Sequence, residues 1–256
     1  NGKVQNIGQF IKSQYTPGKD NAKDIVRRAK IEQTVSNLII QGREDQIDQY
    51  LISEGLTKQK VEKGFDILST KSDVSWQAPD VWYDNDTGRY YAIAGYEWQF
   101  DTKGNPKWLA DATLTGDMGG YDAVGIFFTD SASINNIQVK DYMLRTYDSD
   151  NDTLYHWTRA EDWGSEGVVF SEQDKVVYGD NTPYNGWDYT FHKGYVSMWF
   201  DTTGPVNTGI KMNYVHTWDD AQISNVTVST SGVSFSVTNS AKHWKGVTSP
   251  YYWSNY

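Results

Sequence analysis

The 256-residue chain contains no cysteine. A disulfide framework, a thiol nucleophile and any Cys-ligated zinc or iron–sulfur centre are therefore excluded. Histidine is scarce: the 4 His, at His156, His192, His216 and His243, form no His-x-x-x-His pair, which argues against a zinc-protease helix. No apolar run approaches the ~20 residues that a membrane-spanning helix needs. Gly-x-Ser-x-Gly and Gly-x-x-x-x-Gly-Lys are both absent, so neither a nucleophile elbow nor a phosphate loop is indicated. Positive charge is also short. The net charge is −10 and the isoelectric point about 4.8, which speaks against nucleic acid and anionic membrane as partners.

What is present is unevenly spread. All 11 Trp lie at Trp76 or beyond, and of the aromatic residues only Phe10, Tyr15, Tyr50 and Phe65 come earlier. Residues 1–75 carry 12 basic against 10 acidic side chains, and residues 76–256 carry 11 against 23. The division expected is a helical region over 1–75 and an aromatic-rich, acidic β region over 76–256.

Helical spacing recurs in the first region. Val4, Ile7, Phe10 and Ile11 precede the break at Thr16-Pro17-Gly18. Asp20 or Asn21 caps a second helix carrying Ile25, Val26, Ala29, Val35, Leu38 and Ile39, and Gly42 stops it. A third holds Ile47, Tyr50 and Leu51 and ends near Gly55. Thr57 is expected to cap a fourth, with Val61, Phe65 and Leu68 on one face. These stripes are narrow, so the helices are expected to lean on the β region. Residues 69–81, polar and containing Pro79, read as a connection.

Beyond them, short strands alternate with turns. Val81–Tyr83 and Arg89–Ile93 flank Asp84–Gly88 as a hairpin, and Val226–Val228 and Val233–Val237 flank Ser231-Gly232 as another. Ala123–Thr129 is nearly all apolar, the pattern of a strand covered on both faces. The fold class expected is α+β: a short helical segment packed on a large antiparallel β-sandwich of jelly-roll type.

Four chemistries are legible in the β region. Rings in polar loops suit sugar stacking, because an indole or phenol face matches the C–H face of a pyranose and loops bury rings poorly. Trp163, Tyr184, Trp187, Tyr252 and Trp253 are the candidates. Glu161 and Glu166 flank Trp163, and glycoside hydrolysis needs two carboxylates ~5–10 Å apart, so they are the candidate catalytic pair. Asp148, Asp150 and Asp152 have the alternate-acid spacing of a calcium loop. Thr153 and Arg159 stand where an EF-hand has Gly and Glu, so that motif is excluded; no cofactor other than calcium is expected. Finally, a membrane-inserting toxin hairpin needs a dyad pattern over ~9–11 residues per strand; in Ser224–Ser240 only about half that length alternates cleanly, so an edge hairpin of a sandwich is the simpler reading.

The absence of cysteine and of an initiator Met before Asn1-Gly2 leads to the expectation of a processed, secreted bacterial protein. Its leading role would be binding carbohydrate or a cell-surface polymer. Glycan cleavage is the alternative, and a β-hairpin toxin or self-assembling surface protein the third.

Overall fold

A computed structural model describes residues 21–64, 73–112, 115–150, 152–178, 184 and 186–256. The helix expected from Val4 to Ile11, and the positions of Phe65 and Leu68, lie outside these residues.

Helix α1 spans Ala22–Ile40. Its N-cap is Asn21, whose side chain accepts the Lys23 amide at 2.9 Å. Gly42, at φ 64°, ends it as a left-handed cap, with Arg43 N donating to Leu38 O at 2.8 Å. A shorter helix, α2, spans Ile47–Ser53, and Gly55 follows at φ 85°. The fourth helix does not form over the described residues to Gly64. Leu56–Lys58 is instead strand β1, and Glu62–Lys63 is β2. β1 pairs with β3 (Val74–Asp84) and β2 with β16 (Tyr251–Ser254), so each half of this segment adds to the edge of a sheet. Non-local strand pairing has overridden a local helical pattern here. The expected connection is likewise strand from Val74, and Pro79 sits at the register shift between Gln77 and Asp80, where a missing N–H costs no ladder bond.

The remaining strands are β4 (Arg89–Trp98), β5 (Gly116–Phe128), β6 (Ile137–Tyr147), β7 (Leu154–Trp157), β8 (Asp162–Gly164), β9 (Gly167–Tyr178), β10 (Trp187–Tyr189), β11 (Lys193–Thr202), β12 (Asn207–Thr217), β13 (Ile223–Ser229), β14 (Gly232–Val237) and β15 (His243–Val247). They make a six-stranded sheet in the order β1-β3-β4-β11-β6-β7 and an eight-stranded sheet built on β10-β9-β5-β12-β16-β2, with β8 and β15 at its margins. The architecture is an α+β β-sandwich, mostly antiparallel strand.

Both sheets are covered on both faces. Val196, Met198 and Phe200 of β11 enter the core between the sheets, while Tyr195 and Trp199 meet α1 and α2. In β5, Val124, Ile126 and Phe128 face that same core, whereas Ala123 and Phe127 lie under the β13–β14 hairpin with Val226, Val228 and Val233. The apolar run at 123–129 thus has the cause expected of it. Packing of alternate residues also accounts for the dyad pattern of the hairpin.

The underside of α1 is not purely apolar. Arg28, Glu32 and Ser36, one helical row, are all buried. Arg28 pairs with Asp141 of β6. Glu32 pairs with Arg145 and accepts from Ser197 Oγ (2.8 Å) and Trp199 Nε1 (3.1 Å). Arg145 Nε in turn donates to Ser36 Oγ at 2.8 Å. This row fixes where α1 sits along the sheet, because a slide of one turn would strand buried charges.

Candidate functional site

A cleft of about 530 Å³ opens where β4, β12 and β15 end together. Trp98 closes β4, Trp218 follows β12, and Trp244 lies on β15, so three indoles from three strands reach one place. The opposite wall is the segment from Asp101 to Asp111. Asp101 shapes its first turn: its carboxylate accepts the amides of Lys103 (2.8 Å) and Asn105 (2.9 Å), which holds the acid below its ordinary range. Gly104 supplies the φ of 82° that the turn needs. A 3-10 turn at Lys107–Ala110 then brings Asp111 to the wall, and Asp73 completes the rim.

Behind the indoles lies a polar cluster in the sandwich core. His216, Asp122 and Asp174 are all fully buried. His216 Nδ1 is 3.0 Å from Asp122 Oδ2 and 3.8 Å from Asp174 Oδ2. Tyr214 donates to Asp122 Oδ2 at 2.7 Å, Thr217 N to Asp122 Oδ1 at 2.9 Å, and Tyr189 to Asp174 Oδ2 at 2.7 Å. Burial pushes the His216 imidazole down, but Asp122, Asp111 and Asp174 outweigh it and hold it up to about 10. Burial, then the Asp122 charge, pushes Asp174 well up. The cluster is therefore an imidazolium against Asp122, with Asp174 kept toward its neutral form. Its ligating atoms lie within 4.8 Å of one another, a spacing able to hold a metal ion, but the hydrogen bonds above already account for both carboxylates.

The cluster communicates with the cleft through its rings. Trp98 meets His216 edge-on at 5.1 Å and Trp218 stacks on it at 5.8 Å. His216 Nε2 points toward Asp111 Oδ2 at 3.7 Å, beyond hydrogen-bonding distance. Neither His216 Nε2 nor Trp98 Nε1 has a hydrogen-bond partner. Of the two, Trp98 lines the cleft, and a buried donor there is the kind of orphan that a ligand acceptor satisfies.

No family model and no curated protein matches the chain. Among solved structures, a Streptococcus parasanguinis protein from work on pH-induced modulation of adhesion by Fap1 fimbriae is 13% identical; the match covers 78% of this chain and 94% of that one, with a TM-score of 0.33. A pore-forming protein is 7% identical over 73% and 94%, at 0.31. The KRT10-binding region of the pneumococcal serine-rich repeat protein PsrP is 12% identical over 62% and 85%, at 0.19. Likenesses this distant carry nothing about the site or the role of this chain.

The five rings singled out in the sequence are spread over three places. Trp163 is 52% exposed on β8, beside Tyr142 at 5.6 Å. Tyr184 and Trp187 are half-buried near the start of β10, against Phe100 and Tyr178. Tyr252 is exposed and borders a second cleft with Lys60, Glu62 and Tyr256. Trp253 is not a loop ring. It alternates inward on β16 and packs on Tyr90 and Phe200, so it cannot offer a stacking face. Trp163→Ala should lower stability by no more than about 1.5 kcal/mol, since half the ring is already in water; a urea midpoint shift several times that size would show the ring to be structural.

Glu166 sits in the tight β8–β9 turn, its carbonyl accepting Phe128 N at 2.8 Å. A third carboxylate, Glu172, feels the Glu161 charge: burial, with that charge adding to it, pushes Glu172 up to about 7. Asp148, Asp150 and Asp152 do converge, their oxygens within 4.8 Å. Asp148 Oδ1 accepts the amides of Asp152 (3.1 Å) and Thr153 (3.0 Å), which closes the β6–β7 turn.

Proposed function

We propose that this is an extracellular bacterial binding protein for carbohydrate, and that the Trp98–Trp218–Trp244 cleft is its site. The observation that carries the reading is the cleft itself. The part-exposed Trp218 offers a ring face over the buried Trp98 and Trp244, Asp73, Asp101 and Asp111 share the lining, and the buried Trp98 Nε1 stands without a partner. A sugar offers an apolar C–H face and hydroxyls that both donate and accept, which matches such a cleft on both counts. A glycan array identifies the ligand, and Trp218→Ala tests the site. Taking aromatic stacking on nucleobases as an analogue, the variant should lose ~1–3 kcal/mol of binding, roughly 5- to 150-fold. A folded variant that binds every glycan at full strength removes the cleft from the reading.

One observation favours glycan cleavage as the second reading: a half-buried acid held near neutrality, Glu172, within reach of the Glu161 charge. Glu172→Gln would then abolish sugar release while leaving binding intact, and a wild-type protein that releases no sugar ends this reading. The Asp148–Asp150–Asp152 turn is tested by melting. Calcium binding at the turn raises the melting temperature at millimolar calcium by mass action, and Asp150→Ala abolishes the rise. No shift means that the turn stands on its hydrogen bonds alone.

A further inference from the structure

We propose that the sugar taken by the tryptophan cleft carries a free amino group, as in a glucosamine unit of a de-N-acetylated glycan. This rests on the carbohydrate reading of the cleft and adds the charge of the ligand to it.

Charge is the first ground. Asp73, Asp101 and Asp111 line the cleft, against the single lining cation Lys107, which lies 3.6 Å from Asp73. Asp219 and Asp220 directly follow Trp218, and Lys242 is paired to Asp219 at 2.8 Å. Among the described residues, Lys103 offsets Asp101, Lys242 offsets Asp219 and Asp122 answers His216 at 3.0 Å, which leaves Asp111 and Asp220 in excess. A uronic or sialic acid would meet like charge, and an N-acetyl group would leave the carboxylates without a counterion.

The state of Asp111 is the second ground. Asp101 is engaged by its own turn and Asp73 lies by Lys107. Among the described residues, Asp111 accepts no hydrogen bond, and its ion contact, His216 Nε2, stays at 3.7 Å. It is a carboxylate held at the wall by the Lys107–Ala110 turn with its acceptor capacity open. The third ground is Trp218. Indole faces attract cations through the ring quadrupole, and His216 stacks on only one face of Trp218, so an ammonium in the cleft would meet the other face. A hydroxyl of the same sugar ring would meet the orphaned Trp98 donor. Diffusional encounter with a cationic polymer also gains from a chain of net charge −10.

The test titrates the intact protein with three oligosaccharides of equal length: glucosamine, N-acetylglucosamine and glucose oligomers. The glucosamine oligomer should bind ~10-fold or more tighter than the other two at low salt. That advantage should shrink at ~1 M salt, where the screening length is about 3 Å. Asp111→Asn should weaken the glucosamine oligomer most and so bring the three affinities together, with circular dichroism checking that the variant is folded. Trp218→Ala should weaken all three. Equal binding of the three oligomers, or an amine preference that survives Asp111→Asn, overturns the inference and leaves the carbohydrate reading standing. An amine preference that survives Trp218→Ala is attraction to an acidic surface and also overturns it. Failure of every glycan to bind removes both.

Discussion

Glu32→Ala should cost about 3–5 kcal/mol of stability, because it leaves the fully buried Arg145 guanidinium without its counterion. The loss has further parts. Ser197 Oγ and Trp199 Nε1 donate to the same carboxylate, and Tyr91 OH stands 3.4 Å from it. Three neutral donors and one charge would be stranded in the layer between α1 and the six-stranded sheet. The double variant Glu32→Met with Arg145→Met removes both charges and should recover most of the loss, since well-packed apolar residues often replace a buried pair at little cost. Urea denaturation of the two variants and the wild type measures this. A single variant that loses less than about 1 kcal/mol, or a double variant no better than the single, would show that the row does not anchor the helix.

Alkaline pH should destabilise the protein through His216. Its folded value, about 10, lies above the ordinary 6.5 because Asp122, Asp111 and Asp174 outweigh the burial penalty. A group raised on folding contributes fully below the unfolded value. Its contribution is lost as pH climbs through the folded value, so the window runs from about 6.5 to about 10. At about 1.36 kcal/mol per pH unit the loss is at most about 5 kcal/mol. Glu172 and Asp148, each pushed up to about 7, titrate at the foot of that window, and Asp174, pushed well up by burial in the same cluster, adds to the loss as pH climbs. His216→Asn should be less stable at pH 6.5 and should show a flatter profile up to pH 10. Parallel profiles for the two proteins would mean that the imidazole is not charged in the fold.

The contrast between these two clusters and the loop candidates explains what could be read in advance. Ala22–Ile40 was legible because its cap, its stripe and its glycine stop are all local. So was the Asp84–Arg89 hairpin, where Asp84 itself takes the Asp86 amide at 3.1 Å and Thr87 Oγ1 at 2.8 Å. The segment 56–63 was not. Its apolar spacing suits a helix, and only the edges of two sheets, built by residues from later in the chain, make it strand. Neither loop composition nor glutamate spacing points to Asp122 and Asp174, which lie on neighbouring antiparallel strands. A signal was present: Asp122 opens the apolar strand run Ala123–Phe128, and Asp174 precedes Val176 on an inward-facing register.

Composition and period by themselves determined that this chain is cysteine-free and acidic, with every tryptophan at Trp76 or beyond, and that it folds mostly as an antiparallel sandwich with short helices near its start. Those properties follow from local propensity and from which faces of a strand or helix are apolar. Tertiary structure alone decided which rings share a cleft. Trp98, Trp218 and Trp244 are separated by 120 and 26 positions and meet only because β4, β12 and β15 end at one end of the sandwich. It likewise decided that Trp253 is core and Trp163 is not, since strand register assigns each ring to one face. A ring's chemistry is written in the chain, but its exposure belongs to the sheet that packs against it.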